Sequence, residues 1–150
     1  MAERTELTTL NHLLETCRDG AQGFQFAAEH AVDRNIRDLF TTLADERGRF
    51  AEELTPHVHR LGGQANSAGT TAGTIHRGWM SLKERVSGHH DEALLKEAER
   101  GERAAVRAYE EALHGMLPPT VSELIECQLT EIRDAHARMI GLAKVGELAL

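Results

Sequence analysis

Apolar residues recur along most of this chain at alternating spacings of three and four, the signature of helices with one buried face. The first such seam runs through Leu7, Leu10, Leu14, Cys17, Ala21, Phe24, Ala28 and Ala31. A second runs through Ile36, Phe40, Leu43, Arg47, Phe50, Leu54 and Leu61, with Asp33 placed to cap its start and Gly62 and Gly63 to end it. The third comprises Leu95, Ala98, Glu102, Ala105, Tyr109, Ala112 and Met116, and Pro118 and Pro119 stop it because proline cannot continue a helix. The fourth comprises Val121, Ile125, Gln128, Ile132, Ala135, Met139 and Leu142, opened by a capping box of Thr120 and Glu123. Four amphipathic helices of similar length, with no β-rich run, predict an all-α four-helix bundle.

The connections refine this picture. Helices one and two join within a few residues, as do helices three and four, whereas residues 62–90 separate the pairs. That link opens with GGQANSAGTTAGT and then places Ile75, Trp79, Leu82 and Val86 at helical spacing, which predicts a short extra helix docked through Trp79. A link of this length can run back along the bundle, the arrangement of ferritin-like folds with one long crossover. The whole of residues 1–150 is expected to form a single domain.

Composition narrows the function classes more than it names one. At 150 residues about 70% of the unfolded surface can be buried, so folding requires neither disulfides nor a structural metal. A formal charge of −7, from 24 acidic and 17 basic residues, offers no footprint for nucleic acid or anionic lipid. Acidic or basic residues interrupt every candidate membrane span. Two cysteines, Cys17 and Cys127, and a charged amino terminus in place of a leader sequence point to a reducing cytoplasm, with both thiols expected to be buried and reduced.

Several strings resemble a family of bacterial ferritin-like four-helix-bundle proteins of unassigned function, gathered as a domain of unknown function. They are Leu10 and Asn11, Asp19 and Gly20, Gly23 and Phe24, and Ala27 to Glu29 on the first helix. Phe40 to Arg47 with Glu53 and Leu54 follow on the second, then His76 to Trp79 in the link. Glu99 to Glu102, Tyr109, Ala112 and Leu113 follow on the third helix, and Gln128, Ala135 and His136 on the fourth. The resemblance implies a cytoplasmic bacterial protein of ferritin-like fold with no established reaction and no agreed ligand, and it alone suggests a role in stress or stationary-phase physiology.

The candidate chemistry lies at the bundle's midplane. Counting about 1.5 Å per residue from each helix end brings Cys17, Arg47, Glu102 and Gln128 to one height. An Arg and a Glu on seam positions are tolerable only when paired, so a buried Arg47–Glu102 ion pair is expected, with Gln128 satisfying remaining donors or acceptors. Carboxylate-bridged di-iron bundles hold their metals at this height with two Glu and two Glu-x-x-His motifs. Here Glu46 is followed by Arg49, Glu131 by Asp134, and the single match, Glu111 to His114, falls near a helix end. A fixed guanidinium at Arg47 also opposes two cations. The expectation is therefore a non-catalytic binding or assembly protein without a cofactor. The alternative is an iron- or manganese-binding oxidase or storage protein whose reduced site draws on Glu99, Glu102, Glu131 and His136, with Asp19 and Glu46 nearby.

The remaining constellations read as structural. His57 and His59 diverge on a helix, as do His89 and His90, so neither pair readily shares an ion. His76 beside Trp79 suits anchoring of the link, with a functional role as the alternative. Tyr109 reads as core, and Gly20, Gly23 and Gly101 suggest close helix approach near the midplane. Leu13, Gly20 and Ala27, with Leu39 and Ala51, form strips beside the first two seams. These either complete the core face or pack against a second copy in a homodimer.

Overall fold

The computed structural model describes residues 2–63 and 91–148, and these form four helices: α1 (Ala2–His30), α2 (Arg34–Arg60), α3 (Asp91–Leu113) and α4 (Pro119–Leu148). No strand occurs among the described residues. The expected link helix from Ile75 to Val86, with His76 and Trp79, and the pair His89 and His90 lie outside them. Helix α1 packs against α2 and α3, while α4 packs against α3 and more thinly against α2. The fold is the all-α bundle that the four seams predict. No helix among the described residues is long and apolar enough to cross a membrane.

Local chemistry sets each boundary. The Asp33 carboxylate accepts the amide N–H groups of Asn35 and Ile36 at 2.8 and 3.1 Å, capping α2 as expected. Arg37 donates to the carbonyls of Ala31 and Val32 just past the end of α1, where a cation also suits the helix dipole. Gly62 adopts φ +81° to close α2, and the amide of Gly63 returns to the Val58 carbonyl at 3.0 Å. The α1–α2 turn is tied to the other hairpin by Asp91, whose two carboxylate oxygens accept from the amides of Val32 and Asp33 at 2.8 and 2.7 Å.

Two boundaries differ from the sequence reading. Helix α3 ends at Leu113 instead of reaching Met116, because the amides of His114 and Gly115 turn back to the carbonyls of Glu111 and Ala112. Met116 is consequently 92% exposed. Helix α4 begins on Pro119, whose fixed φ suits a first helical position and whose missing N–H costs nothing there. Thr120 therefore lies inside the first turn and is not the cap, and the Ser122 amide bonds the Pro118 carbonyl at 2.9 Å.

The core falls into two apolar clusters. One holds Leu10, Leu14, Phe50, Leu54, Tyr109, Ile125 and Ile132, and the other Phe24, Phe40, Leu43, Leu94, Ala98, Ala135 and Met139. A polar layer of Arg47 and Glu102 belongs to neither. The strips beside the first two seams complete the core face: Leu13 and Ala27 are fully buried within the single chain, and Leu39 and Ala51 nearly so. They offer no surface to a second copy, because in an antiparallel hairpin the apolar face is wide enough to include both strips.

Candidate functional site at the bundle midplane

Arg47 and Glu102 are each 1% exposed, and the Arg47 Nη2 donates to Glu102 Oε2 at 2.5 Å. The pair runs from α2 to α3 across the bundle. Helix α1 passes beside it at Gly20, where an added Cβ would sit 3.5 Å from Arg47 Cγ, in ordinary contact, so the pair does not require a glycine there. Gly20, Gly101 and Thr16 line the small enclosed space beside the pair. The guanidinium carbon lies 5.3 Å from the centre of the Phe24 ring and 6.0 Å from that of Phe50, so aromatic faces add to its stabilisation. Arg47 Nε finds no hydrogen-bond acceptor among the described residues. Burial lowers the guanidinium's pKa, but the charge and hydrogen bond of Glu102 outweigh it, and the net shift is upward.

Gln128 does not join that pair. It belongs to a second network, farther along the bundle axis, to which every helix contributes one side chain. Tyr109 Oη donates to Gln128 Oε1 at 2.6 Å, and Cys17 Sγ lies 3.0 Å from Tyr109 Oη. Because the phenol proton is committed to Gln128, the thiol donates to the phenol oxygen. Gln128 Nε2 donates in turn to Glu53 Oε1 at 3.0 Å and to the Phe50 carbonyl at 3.4 Å. The chain therefore runs in one direction from the buried thiol of α1 through α3 and α4 to a carboxylate on the rim of α2. Glu53 enters the sequence reading only through the family resemblance and not as a site residue, because it lies beside the second seam and looks like any solvated carboxylate. Burial pushes the Cys17 thiol up to about 11, against smaller opposing effects of Tyr109 and Arg47. The Tyr109 phenol is likewise raised well above its ordinary value, chiefly by burial.

Cys127 corrects the expectation of two buried thiols. It is exposed, since the seam residue on that turn of α4 is Gln128. A native chain is therefore expected to react with one equivalent of a thiol reagent at pH 8, and a urea-unfolded chain with two. Rapid native reaction of both would contradict the burial of Cys17.

The residues of the alternative metal site are divided among other partners. Glu102 holds Arg47, and Glu131 accepts from Arg49 Nη2 at 2.8 Å. His136 Nε2 approaches Glu99 Oε1 only to 3.7 Å, and Glu99 also faces Arg103 at 3.9 Å. Asp19 is 9% exposed, on α1. Glu46 is half-buried, and its carboxyl is raised chiefly by that burial, Arg47 pulling the other way. Glu111 and His114 are both exposed, with His114 beyond the end of α3. Among the described residues no group of three or more His, Cys, Asp or Glu side chains is arranged to hold a metal ion. The donor set does not fit a carboxylate-bridged pair of metals, because a fixed cation takes the central carboxylate and no inward Glu-x-x-His is present.

Comparison with solved structures finds the same fold elsewhere. A two-domain protein of Anabaena variabilis, with DJ-1/ThiJ/PfpI-like and ferritin-like domains, superimposes with a TM-score of 0.77 at 14% sequence identity. The alignment covers 97% of this chain and 40% of that one. At such low identity the likeness establishes the fold alone. No curated protein matches the sequence. Residues 5–115, which include α3 and end ahead of α4, match the family described as a domain of unknown function (DUF2383), and the chain belongs to that family.

Proposed function

We propose that this chain is a non-catalytic ferritin-like protein that works by binding or assembly, as a single cytoplasmic domain carrying no cofactor. The observation that supports this reading is the buried Arg47–Glu102 pair at the midplane, where it neutralises the central carboxylate with a guanidinium. Arg keeps its proton under all physiological conditions, so the carboxylate is not released to a cation by a change of pH. The placement in bacterial stress physiology rests on the family resemblance.

Elemental analysis of protein expressed in medium supplemented with iron, manganese and zinc tests the proposal, with substoichiometric metal as the expected result. Two equivalents of iron or manganese per chain, with the absorption band of an oxo-bridged pair after aerobic loading, would overturn it. The approach of His136 to Glu99 favours one second reading, a single-metal site. One retained equivalent that is lost in both Glu99→Gln and His136→Ala would establish it.

A further inference from the structure

Helix α2 carries a second seam, on its outward side. Arg34, Arg37, Thr41, Ala44 and Gly48 recur at spacings of three, four, three and four, the first three exposed and the last two half-buried. The first half of this face carries the exposed Arg34 and Arg37, with Asp38 on its flank. The second half is built on small residues and flanked by the exposed acids Asp45 and Glu52. Between this face and α1 runs an open groove of about 690 Å³, lined by Arg37, Thr41, Ala44 and Asp45 of α2 and by Ala21 and Ala28 of α1. A Cβ added at Gly48 would meet nothing within 4 Å, so the surface beside the groove stays open there.

A helix face that is basic at one end and acidic at the other complements itself when two copies meet in the antiparallel sense, as charges flanking helical seams do when they set partner and orientation. The geometry points to this face as the interface with a second copy of the chain, α2 against α2 about a two-fold axis through Thr41. That axis places Arg37 opposite the partner's Asp45. It places Arg34 over the partner's Gly48, within reach of the partner's Asp45 and the partner's Glu52. Each contact occurs twice, as an isologous interface requires. Asp38 falls opposite the partner's Ala44, beside the partner's Asp45, and Arg34 and Arg37 outnumber it across the seam. A parallel copy would set Arg34 and Arg37 against themselves.

This interface rests on the assembly reading, and its failure is distinguishable from the failure of that reading because metal content and oligomeric state are independent measurements. Sedimentation equilibrium of the full chain at micromolar concentration and low salt should show a reversible equilibrium between 16.6 kDa and twice that mass, shifted toward monomer by added salt. Asp45→Arg should weaken the dimer at least about tenfold, because both copies of the pair become repulsive, with helicity by circular dichroism unchanged. Arg34→Asp should do the same without touching Arg37, which also bonds the end of α1. Combining Asp45→Arg with Arg37→Asp exchanges the signs of the directly opposed pair and should recover part of the association, with Arg34 still facing the new arginine. A species of 16.6 kDa at every concentration overturns the interface, as does a dimer indifferent to Asp45→Arg and Arg34→Asp. A dimer that both reversals weaken, and that the exchange leaves as weak as Asp45→Arg alone, overturns the axis through Thr41.

Discussion

Glu102→Gln should lower the unfolding free energy by about 3–5 kcal/mol, the largest effect expected of any polar substitution in this chain. The neutral amide leaves Arg47 fully charged and 1% exposed, with its Nε already without an acceptor among the described residues. The loss follows from the uncompensated survivor and is larger than the net worth of the intact pair, because desolvating both ions offsets most of their attraction. For a domain of this size about 2–4 °C of melting temperature accompanies each kcal/mol, so the variant should melt many degrees below the wild type. An unchanged urea midpoint would show that Arg47 and Glu102 are not paired in solution.

Alkaline pH should destabilise the fold through the second network. The Cys17 thiol titrates near 9.0 when unfolded and near about 11 in the fold, so between these values the unfolded state binds fewer protons than the native one. Stability is then fully present below pH 9 and is lost as pH rises through 11, by about 3 kcal/mol for a shift of this size. Tyr109 acts in the same direction from higher pH, since its phenol is raised well above 10.0 by burial and by the neighbouring thiol. Urea unfolding at pH 8 and pH 11 checks this, with Cys17→Ala as the control that should remove the thiol's share. Equal stability at the two values would mean that the thiol is reached by solvent in the native bundle.

The seams were legible because burial imposes a helical period that persists over seven turns, far longer than chance apolar runs. Arg47 and Glu102 stood out for the same reason, since each interrupts an apolar seam and only the other could compensate it at that height. The height argument placed Gln128 within about a turn of Arg47 but with the wrong partners. Rise per residue fixes level only to about a turn, and the choice between Arg47 and Tyr109 depends on that margin and on the rotation of α4. The exposure of Cys127 follows from that same rotation. The strip of Leu13 and Ala27 was open to two readings because periodicity shows which residues share a face, without showing how wide the buried face is. Helix ends were legible where a side chain acts alone, as at Asp33, and less so at Thr120, where Pro119 competes for the first turn and wins by having no N–H to satisfy.

A double-mutant cycle on Arg47→Met and Glu102→Leu tests the ionic midplane most directly, because it separates the pair from each residue's packing. Each single variant leaves one buried charge and should unfold several kcal/mol below the wild type. The double variant restores an apolar layer of similar volume and should recover most of that loss, giving a large coupling between the two positions. Losses that simply add in the double variant would contradict a buried Arg47–Glu102 pair and return the midplane to other chemistry.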